Sequence, residues 1–106
     1  MDKNVGDAVA QGGLPVVAQW EAREGEAGRG ADILARFLPE AQREVGAQLF
    51  LISRAKENPA PFLFYDLFRD EAAFKAHQES DHFKTHIAGQ ALPLPAKRER
   101  TPYALP

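Results

Sequence analysis

Two short runs in the middle of the chain constrain its fold more than any other feature: AQLFLISR (47–54) and FLFYDLFR (62–69). Both are rich in Leu, Ile and Phe, and both are apolar at odd and even positions alike. The residues between them, AKENPAP (55–61), include Pro59 and Pro61, which block regular structure and leave only a turn. A connection that short pairs the two strands as an antiparallel hairpin. A sheet with helices on one side normally alternates apolar and polar residues along each strand. Apart from Asp66 this hairpin hardly alternates, so each of its faces needs an apolar cover.

The flanking segments supply the rest of the sheet and one layer of helices. LPVVAQWEARE (14–24) reads as a first strand, with Val16, Ala18 and Trp20 alternating with Val17, Gln19 and Glu21. The glycines of GEAGRG (25–30) mark a flexible connection. ADILARFLPEAQREVG (31–46) has helical spacing, with Leu34, Phe37, Leu38, Ala41 and Val45 on one face. Asp32 is its expected N-cap, Pro39 an expected kink or break, and Gly46 the expected left-handed residue past its end. DEAAFKAHQ (70–78) reads as a short helix capped by Asp70, with Glu71 at the positive end of its dipole. Ser80 offers a cap for a second helical stretch, DHFKTHIAGQALPL (81–94), ending near Gly89. AKRERTPYALP (96–106) is a weak last strand, and Pro102 places it at an edge or in a segment crossing to another subunit. MDKNVGDAVAQGG (1–13) has mixed charge and no apolar signal-peptide core, and reads as a mobile tail.

Strand, helix, strand, strand, helix, strand is the split βαβ order of the ferredoxin-like fold, an α+β domain with an antiparallel sheet over residues 14–106. At 106 residues the chain is one small domain, and its helices cover one side of the sheet. The simplest cover for the other side is a second copy, packed sheet to sheet as a homodimer through a hydrophobic interface. A net charge of −2 gives no electrostatic footprint for nucleic acid or an anionic membrane. Cysteine is absent, which excludes disulfides, thiolate metal sites and a cysteine nucleophile, and fits a reducing, cytoplasmic setting. No apolar run reaches the length of a membrane span.

The run FLFYDLFRDEAAFKAHQESDHFKTH (62–86) resembles the antibiotic biosynthesis monooxygenase domain. It has an aromatic strand with Tyr65-Asp66 where the family typically shows Tyr-Glu. A helix start Asp70-Glu71-Ala72 follows, then His77, Ser80 and His82-Phe83. VVAQWEAREG (16–25) is similar to the family's first strand, and EAQREVGA (40–47) to its Glu-Pro-Gly helix end, here Glu44, Val45 and Gly46. Asp66 is one methylene shorter than the usual Glu, and Val45 stands for the usual Pro. The resemblance spans roughly residues 14 to 105. It implies a dimeric α+β barrel with a pocket between each sheet and its helices. Characterised members oxidise quinols or aromatic polyketides with dioxygen, using no flavin or metal. A sister branch degrades haem, and other members isomerise or bind small metabolites.

That chemistry asks for a base, polar groups that stabilise an anion, and an apolar cavity. All three histidines of the chain fall within residues 77–86. His77 and His82 carry the family pattern and are the candidate bases, since imidazole titrates near pH 6.5. Each also has a purely structural reading, His77 at a helix C-terminus and His82 at a helix start. Asp66 lies in an apolar strand and must find water, a cation or donors. It either supports a catalytic histidine or pairs with Arg54 or Arg100. Trp20, Phe64 and Phe68 are candidate walls of a substrate pocket or plain core, and Tyr65 and His86 are further candidate substrate contacts. Tyr65 points to the opposite side of its strand from Asp66. His82 and His86, four apart, can share a helix face toward a metal only if a third ligand arrives, and no metal site is expected. Haem degradation fits poorly: the first strand has no Asn, and His77 stands where that branch has Trp. Neither a dinucleotide nor a phosphate-cradling motif is present, so no cofactor is expected. The reading is a cofactor-independent monooxygenase acting on a small aromatic or quinol. The alternatives are a non-catalytic small-ligand-binding or stress-related dimer on the same scaffold and, third, a haem- or metal-binding module.

Overall fold

A computed structural model describes residues 4–58, 60–91 and 94–105. The α+β architecture is as expected. Four strands, β1 (Leu14–Ala22), β2 (Ala47–Arg54), β3 (Pro61–Phe68) and β4 (Pro95–Pro102), form one antiparallel sheet in the order β2-β3-β1-β4. The central pair β1 and β3 holds the most apolar sequence, and β4 takes an edge, where Pro102 breaks no ladder. Pro59 lies outside the described residues.

Strand alternation and register sort the side chains into two layers. Val16, Ala18 and Trp20 of β1 stand opposite Asp66, Phe64 and Phe62 of β3 and face the helices. Phe50 and Ile52 of β2 join them opposite Asp66 and Phe64. Helix α2 (Ala27–Arg43) covers this face with Ile33, Leu34, Phe37 and Ala41, all buried. Helix α3 (Glu71–Glu79) and a π-helix (Phe83–Ala91) complete the layer through Ala73, Ile87 and Ala91. Each large apolar side chain withdrawn from water here contributes roughly 1.5–3 kcal/mol.

The outer face is different. Leu51 stands opposite Tyr65, which stands opposite Val17, and Leu63 lies one row further on. Leu51 is 50% exposed, and Leu63 and Tyr65 are each 41% exposed. The hairpin therefore buries one of its two apolar faces within the chain and presents the other.

Several local expectations are revised. Residues 5–10, read from sequence inside a tail, form a helix, α1 (Val5–Ala10), capped by the Asn4 side chain accepting from the Asp7 N–H. It buries Ala8 against the ends of β2 and β3. Helix α2 begins at Ala27 rather than near Asp32, runs through two glycines of the expected connection, and has no side-chain cap. Pro39 sits inside it without dividing it. Gly46 does not take a left-handed conformation; positive φ among glycines is confined to Gly12 and Gly25. Its lack of a side chain is needed for contact, because a Cβ there would overlap the Cβ of Ala73. Asp70 caps α3 as expected, accepting from the Ala73 N–H at 2.8 Å. The stretch after Ser80 becomes a π-helix that reaches Ala91, past Gly89.

Candidate active site

Helix α2 ends when Glu44 turns to extended backbone (φ −60°, ψ 131°), which sets its side chain at the exit of the helix. Across from it, His77 occupies the last turn of α3. Ser80 then ends α3 and starts the next stretch. Its hydroxyl donates to the His77 carbonyl at 2.7 Å and accepts from the Phe83 N–H at 3.2 Å. This two-way cap turns the chain so that His82 comes back toward the same place as His77.

Both imidazoles meet one carboxylate oxygen. His77 Nδ1 donates to Glu44 Oε2 at 2.6 Å, and His82 Nε2 donates to the same oxygen at 2.7 Å. A carboxylate only accepts, so the ring nitrogens facing it carry protons. His77 is left with Nε2, which has no hydrogen-bond partner among the described residues. The ring is almost fully buried, and the centroids of Phe50, Phe68 and Phe83 each lie 5.2 Å from its own. Burial alone raises the Glu44 carboxyl. The hydrogen bonds and charge of His77 and His82 outweigh that and hold it below its ordinary value.

A cavity of about 450 Å³ opens between the sheet and the helices beside His77. Its walls include Trp20, Phe37, Phe50, Phe64, Phe74 and Phe83, and its polar groups include Asp66, His77, Arg98 and Arg100. The size suits a small organic molecule, the usual range being roughly 300–1,000 Å³. Asp66 is 5% exposed, and its Oδ1 is buried with no hydrogen-bond partner among the described residues. Burial first, and the nearby Glu44 charge second, push its carboxyl up to about 8. At neutral pH it is therefore an uncharged acid and a hydrogen-bond donor inside an aromatic chamber.

The candidates named from sequence separate into two groups. Asp66, His77, Trp20 and Phe64 converge on the cavity, where the Trp20 and Phe64 rings meet at a 48° tilt with centroids 4.6 Å apart. His82 stands behind His77 and reaches the cavity only through Glu44. Phe68 has no exposed surface and belongs to the core, 5.2 Å from the Phe74 ring. Tyr65 lies on the outer face of the sheet, away from the cavity, because it is one residue from the inward Asp66. His86 points along α2 to Glu40 (3.7 Å) and to Gln90, not into the cavity. Asp66 forms no ion pair among the described residues: the Arg54 guanidinium sits over the Phe62 ring and that of Arg100 over Phe74. The carboxylate that orients His77 is Glu44. Sequence reading passed over its role because the pairing spans 33 positions. The signal was its place at a helix end within the quoted family-like stretch.

Glu44, His77 and His82 hold their ligand-type atoms within 4.8 Å of one another, so they are also the residues that can approach a divalent cation. This is a different set from His82 and His86. Two donors on one tetrahedral zinc ion stand about 3.3 Å apart. The N···O separations of 2.6 and 2.7 Å are those of hydrogen bonds, so the cluster is closed by protons and would have to spread to admit a metal.

Residues 14–89 match the family described as antibiotic biosynthesis monooxygenase, an interval that takes in the cavity floor, Glu44 and all three histidines. The chain belongs to this family. No curated protein matches it. Among solved structures, a Pseudomonas aeruginosa protein superposes with a TM-score of 0.81 at 19% identity, covering 88% of this chain and 93% of its own. A candidate antibiotic biosynthesis monooxygenase from Nitrosomonas europaea gives 0.80 at 18%, covering 85% and 95%. Another from Bacteroides thetaiotaomicron gives 0.79 at 22%, covering 86% and 87%. At such identities the likeness establishes the antibiotic biosynthesis monooxygenase fold and nothing finer. Among the described residues, no helix is long and apolar enough to cross a membrane.

Proposed function

We propose that this family member is a cofactor-independent monooxygenase that oxidises a small phenol or quinol with dioxygen, working as a cytoplasmic homodimer. The observation that carries this reading is a buried histidine hydrogen-bonded to a carboxylate through Nδ1, with Nε2 left over beside an aromatic-walled cavity. His77 Nε2 takes the proton of a substrate hydroxyl, and Glu44 stabilises the imidazolium that results. His82 holds Glu44 from the other side. Asp66, uncharged at neutral pH, donates a hydrogen bond to the phenolate oxygen. The electron-rich anion then reduces dioxygen by one electron. A hydroquinone gives up a second electron and its other proton, and the proton held on His77 returns to complete hydrogen peroxide beside the quinone. At an activated methylene, radical recombination gives a hydroperoxide, which loses water and leaves one oxygen atom as a carbonyl. The apolar walls shield the radical pair from water.

The outer sheet face supports the homodimer. Leu51, Leu63 and Tyr65 form an apolar patch of the kind that self-association covers.

Oxygen consumption with a panel of hydroquinones and naphthols tests the reading. Wild-type uptake that falls by about a hundredfold or more in His77→Ala supports His77 as the base. Undiminished uptake in that variant refutes the assignment. Saturable binding of the whole panel with no uptake leaves the cavity as a ligand-binding site without chemistry.

A further inference from the structure

Two arginines of β4 are not used by the chemistry above. In the ladder Arg98 stands opposite Trp20 and Arg100 opposite Ala18, so both lie on the helix-facing side of the sheet, and both line the cavity. Their Cα atoms are about 7 Å apart, as alternate residues of a strand are. Both residues are exposed, unlike Asp66 and His77 at the buried end, so they stand at the mouth. No carboxylate among the described residues pairs with either, whereas the neighbouring Lys97 has Glu21 at 3.9 Å. Glu99, between them, borders the cavity too, but strand alternation directs its side chain to the other face. The Arg100 guanidinium lies over the Phe74 ring, 5.4 Å from its centroid, so that its position is set by a wall of the cavity. Two cationic side chains two residues apart on one face of a strand make a place where an anion is favoured.

We infer that the cavity selects aromatic substrates bearing a carboxylate, which Arg98 and Arg100 clamp at the mouth while a ring hydroxyl reaches His77 and Asp66. This rests on the reading of the cavity as the substrate site, and it narrows the substrate class to hydroxylated aromatic acids. The polarity of the chamber agrees with such a ligand. Its inner end offers a neutral donor and a base and its rim offers fixed positive charge, so the acid has one favourable orientation. That orientation delivers the hydroxyl, not the carboxylate, to Nε2 of His77.

The test is titration calorimetry under nitrogen with 6-hydroxy-2-naphthoate and 2-naphthol, which differ only in a carboxylate at the far end of the rings from the hydroxyl. The acid is expected to bind about tenfold or more tightly, with a preference that shrinks as salt is added. Arg98→Gln/Arg100→Gln should reduce the acid to the affinity that the naphthol shows in the same variant. The double lysine variant should keep part of the preference, because it keeps charge without the fork geometry. Both positions are exposed on an edge strand, and a thermal melt confirms that the variants fold. Equal affinities, no binding of either compound, or a preference that survives the double glutamine variant would overturn the inference. A carboxylate preference without oxygen uptake supports it and defeats the catalytic reading. Oxygen uptake without the preference does the reverse.

Discussion

Replacing Asp66 with Asn should make the protein more stable at neutral and alkaline pH, although it removes an ionisable residue from the site. In the folded chain the carboxyl is pushed from 3.8 to about 8, by burial first and by the charge of Glu44 second. Between those values the folded state holds a proton that the unfolded state has released. Stability therefore falls as pH rises through this window and levels off above about 8. At 1.36 kcal/mol per unit the shift sets a ceiling of about 5–6 kcal/mol, and water admitted by the cavity lowers the expected figure to about 2–4 kcal/mol. Asn keeps the shape and a donor but has nothing to ionise. Urea unfolding of both proteins at about pH 5 and about pH 9 should show the advantage of Asp66→Asn growing with pH by about 1.5–3 kcal/mol, the part of the window below pH 5 lying outside the comparison. Other titrating groups are common to both proteins and drop out of the difference. A gap that stays constant across this range would mean that Asp66 is ionised in the folded chain, and the reasoning would be wrong.

Four further outcomes follow from the same geometry. If neutral Asp66 donates to the substrate anion, kcat/KM should decline as pH rises through about 8, and Asp66→Asn should remove that decline; a pH–rate profile decides it. Glu44→Gln should lower stability by about 1–3 kcal/mol. Because the Glu44 carboxyl is held below its ordinary value, its contribution is present above that value and lost as pH falls through the depressed one, so the gap to Glu44→Gln should close in denaturation below about pH 4. Gly46→Ala should cost about 1–3 kcal/mol by thermal or urea melt, and Ala73→Gly in the same chain should recover part of it. If the proposed homodimer packs through the outer sheet face, Leu51→Arg or Tyr65→Glu should shift the mass measured by light scattering from dimer to monomer at micromolar concentration; a monomeric wild type, or a dimer unchanged in both variants, would refute that packing.

The fold was legible because its signals are local. Period-two alternation marked β1, the proline-flanked hairpin marked β2 and β3, and Asp70 announced its helix in one residue. Gly46 was read through the commonest use of a helix-end glycine, and nothing in its own neighbourhood discloses that Ala73 rests against it. The π-helix escaped for a related reason, since its residues have no sharp amphipathic period and take their shape from packing on α2. Half of the site was equally local: Asp66 stood out as a carboxylate in a greasy strand, and His77 as part of a spaced pattern. Its partner did not. Glu44 looks like any solvated glutamate at the end of a helix until the chain folds and sets two imidazoles on it. Tyr65 and Phe68 show the converse. Aromatic character nominated them, while the parity of the strand and the depth of the core decided otherwise.

The seam at Gly46 has a mechanical consequence. Gly46 lies against Ala73, and its carbonyl receives the Arg69 N–H at 2.8 Å, so the exit of α2 and the entry of α3 are tied at a point two residues from Glu44. The backbone that carries the acid is thereby fixed to the start of the helix that carries His77, which sets their spacing. On the proposed reading, a visiting molecule meets the untied side of the chamber first, where β4 lies at the open margin of the sheet.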